Sequence, residues 1–238
     1  MRNEIILKVY RFDPTSGKPP TYKRYSVPIT ERETVLDALL YVKEHQDATL
    51  SLRFSCRMAV CGSCGMLIDG LPRLACYTQI SELDTDEIEV RPMSNYPIVR
   101  DLVVDMSGFF EKHRSVMPWL IRRDVREQNQ PTKQYLQSDE QLLEYLQFSY
   151  CIKCGLCYAA CPVVTAMDEF LGPQALAQLY RYIRDSRDEG ATERLKSAGE
   201  FNGVWRCHFA GSCSQVCPKG VDPALAIQLL RRRTLFMK

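Results

Sequence analysis

The chain has 238 residues, 45% of them hydrophobic and 25% charged, which is an ordinary composition for a soluble globular protein. Its formal net charge of +2, without a long basic stripe, disfavours nucleic acid as a partner. No apolar run approaches the roughly 18 residues of a membrane span, and the N terminus has the features of neither a signal peptide nor a transit peptide. We therefore expect a reducing compartment, a bacterial or archaeal cytoplasm.

The N-terminal part of the chain carries patterns of both strand and helix. Strands are predicted where Ile, Val and Tyr are dense, and turns where Pro, Gly and Asp separate such runs. In chain order, we predict strands over residues 3–12 and 21–29, a helix opened by a capping box of Thr30 and Glu33, two short strands around the Asp69-Gly70 turn, and a strand near 87–91. These elements predict a small α+β sheet domain that ends near residue 105.

Beyond residue 105 the sequence becomes helical in character. The polar stretch 128–139 is typical of a connector between domains. Gly172-Pro173 and Asp222-Pro223 each predict the start of a helix, because proline in the first turn has no N–H that needs a partner. We expect a mostly helical second domain over residues 106–238.

The eleven cysteines fall into three tight groups. These are Cys56, Cys61, Cys64 and Cys76; Cys151, Cys154, Cys157 and Cys161; and Cys207, Cys213 and Cys217. A disulfide framework is disfavoured in a chain of this length without a secretion signal, and an odd count would leave one thiol unpaired. Metal ligation is the better interpretation.

The first group has the spacing of a plant-type [2Fe–2S] site, with gaps of four and two residues and one remote cysteine. Gly62, Ser63 and Gly65 are small enough to let backbone N–H groups approach sulfur and stabilise the reduced cluster. A structural zinc site is the alternative. Zinc sites usually pair two short Cys-x2-Cys knuckles, which the gap of four residues and the remote Cys76 do not match.

The second group is a complete bacterial ferredoxin run followed by proline, and the third lacks its second cysteine, with Ala210 in that place. In two-cluster ferredoxins the fourth cysteine of each run ligates the other cluster. This exchange assigns Cys151, Cys154, Cys157 and Cys217 to a [4Fe–4S] cluster, and Cys161, Cys207 and Cys213 to a second cluster. Three thiolates predict [3Fe–4S]; the alternative is [4Fe–4S] with water or another side chain on the fourth iron. Three different clusters in one chain indicate an electron conductor.

Four segments, in their order along the chain, resemble those of one known protein family. They are SCRMAVCGSCG at 55–65, RDLVVD at 100–105, CIKCGLC at 151–157 with Cys161-Pro162, and Cys217-Pro218-Lys219. Together with Ala210 they resemble the iron–sulfur subunit of the succinate dehydrogenase/fumarate reductase family over nearly the whole chain. The resemblance implies an N-terminal β-grasp, plant-type ferredoxin domain over 1–105 and an all-helical, bacterial-ferredoxin-like domain over 106–238. It also implies an electron path from flavin through [2Fe–2S], [4Fe–4S] and [3Fe–4S] to quinone.

The resemblance further implies partners. The dicarboxylate site and FAD would belong to a separate catalytic subunit, and membrane anchor subunits, with or without heme b, would hold the chain at the cytoplasmic side of a prokaryotic inner membrane. The sequence agrees by omission, since it has no Gly-x-Gly-x-x-Gly flavin fingerprint and no apolar span. Two other functions stay open: an independent ferredoxin-like carrier, and the electron-input subunit of a thiol-linked fumarate reductase. The fused domains and long helical scaffold argue against a small shuttle.

A quinone pocket is also implied by position, from Pro162, Val163, His208 and Ala210. His208 could bind a quinone, a heme propionate or water, or could be a structural histidine. Many ubiquinone-reducing members have Trp soon after the first Cys-Pro, but residues 163–169 contain none. The segments GVWRC at 203–207 and CYAAC at 157–161 resemble the fumarate reductase branch. With the missing Trp, they favour menaquinone and leave the direction of catalysis open.

Overall fold

The computed structural model of the chain describes residues 3–30 and 32–236. The chain divides into two compact units. The sheet unit runs to Met106 and includes the later segment Ile152–Ala160, and the helical unit comprises Ser107–Cys151 and the chain from Cys161 onward. The predicted order of a sheet region followed by a helical region is confirmed.

One mixed sheet organises the sheet unit. Its strands are β1 (Glu4–Arg11), β2 (Thr21–Pro28), β3 (Gly65–Ile68), β4 (Leu71–Leu74) and β5 (Glu87–Arg91), in the order β2-β1-β5-β3-β4. β1 runs antiparallel to β2 and parallel to β5, and β3 is antiparallel to both β4 and β5. A smaller pair, β6 (Ile98–Arg100) and β7 (Val103–Val104), follows. Ile5, Leu7 and Val9 of β1 are buried, because alternate side chains of a strand face the same side.

Short helices make up most of the remaining structure. They are α1 (Val35–Tyr41), α2 (Ser107–Ser115), α3 (Val125–Asn129), α4 (Asp139–Leu143), α5 (Leu146–Ser149), α6 (Leu156–Ala159), α7 (Pro162–Ala166), α8 (Gly172–Arg184), α9 (Ala191–Gly199), α10 (Ser212–Gln215) and α11 (Pro223–Leu235). A π-helical turn, Val42–Gln46, continues α1, and 3-10 turns occur at Ala75–Tyr77, Ile80–Glu82 and Val204–Arg206. Within the described ranges, none of the helices has the length and apolarity needed to cross a bilayer.

The capping box of α1 lies one turn later than predicted. Thr34 is the N-cap: its side chain accepts a hydrogen bond from the Asp37 N–H, and the Asp37 carboxylate accepts one from the Thr34 N–H. The predicted residues make a local contact ahead of the helix, where the Thr30 N–H donates to Glu33 Oε2. The predicted position was wrong because the same pattern fits two frames, and the extended backbone of Thr34 decides between them.

In the helical unit, α8 and α11 begin at the predicted residues. Pro173 lies in the first turn of α8, and the Asp222 side chain caps α11 by accepting a hydrogen bond from the Leu225 N–H. α11 packs against α8 and α9, and α8 also packs against α2 and α5. Leu176 and Leu230 are fully buried where these helices form the core.

Candidate metal centres

The first cysteine loop is held in place by the β3–β4 hairpin. Cys64 directly precedes β3 and Cys76 lies in the 3-10 turn that follows β4, so the hairpin returns the remote cysteine to the loop. The Ala75 N–H donates to the Cys64 carbonyl at 3.0 Å, which closes the hairpin at that end. Cys64 and Cys76 are buried, whereas Cys61 is exposed.

Backbone N–H groups of this loop surround the cysteine sulfurs. Cys56 Sγ accepts from Met58, Val60 and Cys61 at 3.5, 3.3 and 3.2 Å; Cys61 Sγ accepts from Cys56 and Ser63 at 3.5 Å; Cys64 Sγ accepts from Cys76 at 3.4 Å; and Cys76 Sγ accepts from Ala59 at 3.3 Å. Such N–H groups stabilise negative charge on sulfur, which is what a reduced iron–sulfur cluster requires.

The inward orientation of these amides depends on left-handed backbone. Arg57 and Ala59 have φ values of 56° and 57°, which side-chain-bearing residues rarely adopt. Alternation of right- and left-handed residues turns successive N–H groups toward one side and makes an anion-binding concavity. The strain at these two positions is therefore coupled to the loop's ability to bind sulfur.

The thiols of this loop differ strongly in acidity. A hydrogen bond from the Ser63 side chain, followed by backbone N–H groups of Cys56 and Ser63, lowers the pKa of Cys61 to about 6. Burial raises the pKa of Cys64 to about 12. The exposed thiol ionises readily, whereas the buried one needs a bound metal to remain a thiolate near neutral pH.

Part of the second cysteine group packs directly on the first loop. Cys154 and Cys157 lie on the segment Ile152–Ala160, which belongs to the sheet unit. A Cβ atom at Gly62 would lie 2.8 Å from both Cα and Cβ of Cys154. Gly62 also has φ +74°, so both its conformation and the space around it require glycine.

Asn95 and Tyr96 hold this segment. The Tyr96 hydroxyl donates to the Gly155 carbonyl at 3.0 Å, and Asn95 Nδ2 donates to the carbonyls of Tyr158 and Ala159 at 3.0 and 3.2 Å. The rings of Tyr96 and Tyr158 pack with centroids 5.2 Å apart. These contacts, which we call the Asn95–Tyr96 clamp, hold the backbone at both ends of α6.

The clamp tyrosine stays protonated. Tyr96 is 8% exposed, and its burial, followed by the charges of Cys157, Tyr158 and Cys154, raises its pKa well above the ordinary tyrosine value. The hydroxyl therefore remains a hydrogen-bond donor across the physiological pH range.

In the helical unit, three cysteines line one open pocket, which we call the three-cysteine cavity. They are Cys161, Cys207 and Cys213, and the wall also includes Pro162, Val163, His208 and Ala210. Apolar side chains of Phe170, Pro173, Ala224 and Ile227 complete the inner wall. All the predicted quinone-pocket residues thus lie around the same space as the three predicted [3Fe–4S] ligands.

The thiols of the three-cysteine cavity are hard to ionise. Burial raises the pKa of Cys213 to about 11 and also raises that of Cys161. The two other cysteines of the helical unit are Cys151, at the end of the segment after α5, and Cys217, which follows α10; both are half-buried. The predicted [4Fe–4S] ligands therefore comprise two cysteines of each unit.

Arg231 of α11 fixes the loop that carries the third cysteine group. Its guanidinium donates to the Val204 carbonyl at 3.0 Å, to the Trp205 carbonyl at 3.5 Å and, by a short bond, to the Cys207 carbonyl. In the sequence Arg231 is indistinguishable from the neighbouring cations at the helix end, and this role was not predicted.

The donor chemistry fits iron–sulfur clusters. All eleven cysteines lie in the described ranges and are free thiols. Among the described residues, no three His, Cys, Asp or Glu side chains converge on a single metal ion. That result concerns single ions, whereas a multi-iron cluster spreads its thiolates over several metal atoms. Inward N–H groups at the first loop and an open three-thiolate cavity in the helical unit suit such clusters.

Comparison with known proteins agrees with these features. Residues 6–111 match a family model described as a 2Fe-2S iron-sulfur cluster binding domain, and residues 147–221 match a 4Fe-4S dicluster domain. The fumarate reductase iron-sulfur subunits of Mycobacterium tuberculosis and Escherichia coli O6:H1 are 48% and 46% identical to the chain over 228 residues, 96% of this chain and 92% and 91% of theirs. The succinate dehydrogenase iron-sulfur subunit of Paracoccus denitrificans is 40% identical over 94% of this chain and 85% of its own.

A solved structure gives the same result at the level of the fold. A chain of the Mycobacterium smegmatis Sdh1 complex in the apo form superposes with a TM-score of 0.88 and 29% identity, covering 98% of this chain and 96% of that one. The two fumarate reductase subunits are at least 46% identical to the chain over 96% of its length. The chain belongs to the family of iron–sulfur subunits of fumarate reductase and succinate dehydrogenase.

Proposed function

We propose that this chain is the electron-transfer subunit of a membrane-bound succinate:quinone oxidoreductase, working between a flavoprotein subunit and quinone. The observation that carries the proposal is the inventory of ligands: four, four and three cysteines in a chain of this family. Bound clusters would supply one-electron redox chemistry, and the residues of this chain would hold them in order. The dicarboxylate site and FAD would belong to the partner subunit.

The proposed [2Fe–2S] ligands are Cys56, Cys61, Cys64 and Cys76. The amides around their sulfurs support this assignment, because the loop already offers donors to the charge of a reduced cluster. The proposed [4Fe–4S] ligands are Cys151, Cys154, Cys157 and Cys217, which rest on the sequence pattern and on the matched dicluster domain.

The third cluster is proposed as [3Fe–4S], held by Cys161, Cys207 and Cys213. Support comes from the wall of the three-cysteine cavity, where Ala210 offers a methyl group in place of a fourth thiolate. Among the described residues no further cysteine lines this cavity. A [4Fe–4S] cluster with a non-cysteine ligand is the competing assignment.

Quinone is proposed to bind beside the third cluster. Pro162, Val163, His208 and Ala210 line the same cavity, so a ligand there would lie next to the cluster with which it exchanges electrons. Phe209 and Trp205 lie within two residues of Cys207 and are 58% and 47% exposed. Their exposed apolar surface suits contact with a membrane anchor subunit. The higher identity to the fumarate reductase subunits, 48% and 46% against 40%, supports the fumarate reductase branch, for which we propose menaquinone.

The remaining assignments follow the family. We place the domain boundary at residue 105, with a β-grasp plant-type ferredoxin domain before it and a bacterial-ferredoxin-like helical domain after it. Anchor subunits, with or without heme b, would hold the chain at the cytoplasmic side of the membrane. The mixed sheet of the first unit and the two ferredoxin runs after residue 150 support these names.

Co-purification from membranes tests the proposal. An affinity tag on this chain should capture a flavin-containing polypeptide and integral membrane polypeptides, and the complex should reduce or oxidise quinone analogues with succinate or fumarate. A clustered monomer that is recovered without flavoprotein or membrane partner would instead support an independent carrier. Activity with a thiol donor and no response to quinone would support the thiol-linked enzyme.

A further inference from the structure

Gln174 is a buried amide beside a predicted cluster ligand. It lies in the first turn of α8, is 2% exposed, and is surrounded by buried residues of the same helix. Its Nε2 atom is 3.1 Å from Nδ1 of His113 and 3.9 Å from Sγ of Cys151. None of the cysteine motifs marks this residue.

The other end of the amide is not satisfied. Gln174 Oε1 is buried and has no hydrogen-bond partner within the described part of the chain. An unpaired buried carbonyl oxygen destabilises the folded state, so an apolar side chain of similar shape would suit the packing better. Packing alone therefore does not explain the glutamine.

The sulfur explains which way the amide faces. A cysteine thiolate accepts hydrogen bonds and cannot donate them, so it favours the NH₂ side of the amide and repels the carbonyl oxygen. The NH₂ group has two hydrogens, one for Cys151 Sγ and one for Nδ1 of His113. His113, which is 8% exposed, thereby keeps the amide from rotating.

We propose that Gln174 tunes the reduction potential of the cluster bound by Cys151, by donating an N–H to that sulfur. The inference rests on the proposed function, which assigns Cys151 to the [4Fe–4S] cluster. Reduction adds negative charge that is shared with the ligand sulfurs, so a donor stabilises the reduced form and raises the midpoint potential. Removal of the donor should lower that potential.

Gln178 offers a matched control one turn further along α8. It is also buried, at 5% exposure, but its Nε2 donates to the Phe148 carbonyl at 2.8 Å and to no cysteine. Gln174→Leu and Gln178→Leu therefore each remove a buried amide from the same helix, and only the first removes a donor to sulfur. Gln174→Met provides a second variant without an N–H, in case the leucine does not assemble.

The experiment is a redox titration of the intact membrane complex, followed by low-temperature EPR of each cluster. In Gln174→Leu or Gln174→Met the ratio of reduced to oxidised [4Fe–4S] at a fixed ambient potential should fall roughly two- to tenfold, the range expected for one hydrogen bond. The [2Fe–2S] midpoint in the same samples should not move, and Gln178→Leu should match the wild type.

The possible outcomes separate this inference from the proposed function. If the wild-type complex shows no [4Fe–4S] signal, the proposed function fails. If the signal is present and its midpoint is the same in Gln174→Met, Gln178→Leu and the wild type, the role of Gln174 is overturned and the proposed function stands. An equal shift in both Gln174→Leu and Gln178→Leu would also overturn it, because loss of packing would then explain the change.

Discussion

The first cysteine loop and the three-cysteine cavity surround their thiols with different groups. In the loop, backbone N–H groups lie 3.2–3.5 Å from the four sulfurs, and two residues accept left-handed backbone to place them there. In the cavity, three thiols share an open space with apolar side chains.

The difference between backbone donors and apolar side chains indicates what each proposed centre can contact. Backbone donors around all four sulfurs of the first loop suit the charge of a small cluster, and Cys61 on this loop is exposed. A site with one open, apolar side leaves room for a small molecule beside the cluster. Ala210 lines the cavity at the place where the ferredoxin pattern has its second cysteine, so a cysteine introduced there tests the proposed ligand set.

The largest effect is expected from Ala210→Cys. A fourth thiolate should convert the third centre to [4Fe–4S], which has a lower potential, and quinone-linked turnover should fall at least about tenfold, a barrier change of about 1.4 kcal/mol. EPR of the oxidised complex should lose the [3Fe–4S] signal. Ala210→Val is the control, since it adds similar bulk without a ligand and should keep that signal. An unaltered spectrum with full activity in Ala210→Cys would show that position 210 does not face the cluster.

Gly62→Ala should disturb the first cysteine loop next most strongly. The new methyl would lie 2.8 Å from Cys154 atoms at φ +74°, whereas Gly70→Ala has a similar φ of +77° and meets no described atom within 4 Å. We expect destabilisation by about 1–2 kcal/mol in Gly70→Ala from the backbone, and about 1–3 kcal/mol more in Gly62→Ala from overpacking.

Thermal loss of the [2Fe–2S] EPR signal from the complex provides the measurement. It should occur at a lower temperature in Gly62→Ala than in Gly70→Ala. Equal behaviour of the two variants would contradict direct packing of the first loop on Cys154.

Tyr96→Phe should have a smaller effect. It removes the hydrogen bond to the Gly155 carbonyl and should destabilise the clamped segment by about 0.5–1.5 kcal/mol. Bleaching of the [4Fe–4S] cluster by air should quicken in this variant. Tyr22→Phe, at a tyrosine that is 42% exposed, is the control and should bleach at the wild-type rate. The clamp is unimportant if both variants bleach alike.

The pH dependence of alkylation in the cluster-free chain should distinguish the thiols of the first cysteine loop from those of the three-cysteine cavity. The pKa of Cys61 is lowered to about 6, so its thiolate predominates above that pH, whereas the pKa of Cys213 is raised to about 11, so its thiol stays protonated at neutral pH. Iodoacetamide should therefore alkylate Cys61 of the cluster-free chain first at pH 7, as mapped by mass spectrometry, and Cys213 only as the pH rises toward 11. Faster alkylation of Cys213 than of Cys61 at pH 7 would contradict this order of thiol pKa values.

Much of the fold was predictable, because it depends on local patterns. The five strands of the main sheet, the Asp69-Gly70 turn and the starts of α8 and α11 follow from periodicity and from proline and turn chemistry, whereas β6 and β7 were not predicted. The helix start at Thr34 was missed by one turn, since two overlapping frames satisfy the capping pattern. Family membership was also predictable, and the comparisons confirm it.

The contacts between distant segments were not predictable. Asn95 and Tyr96 meet a segment some 60 residues later in the chain, and Gln174 meets Cys151 23 residues earlier. Spacing rules describe ligands within one motif and carry no information about which outside side chain reaches a sulfur or a carbonyl. Arg231 illustrates the same limit, because a cation at a helix end is usually solvated.

Spin quantitation of the wild-type complex by low-temperature EPR tests the central claim most directly. The oxidised complex should show one [3Fe–4S] spin per chain, and stepwise reduction should add one [2Fe–2S] and one [4Fe–4S] signal with separate midpoint potentials. A complex that is silent when oxidised and shows two [4Fe–4S] signals when reduced would contradict the assignment of three ligands around Ala210.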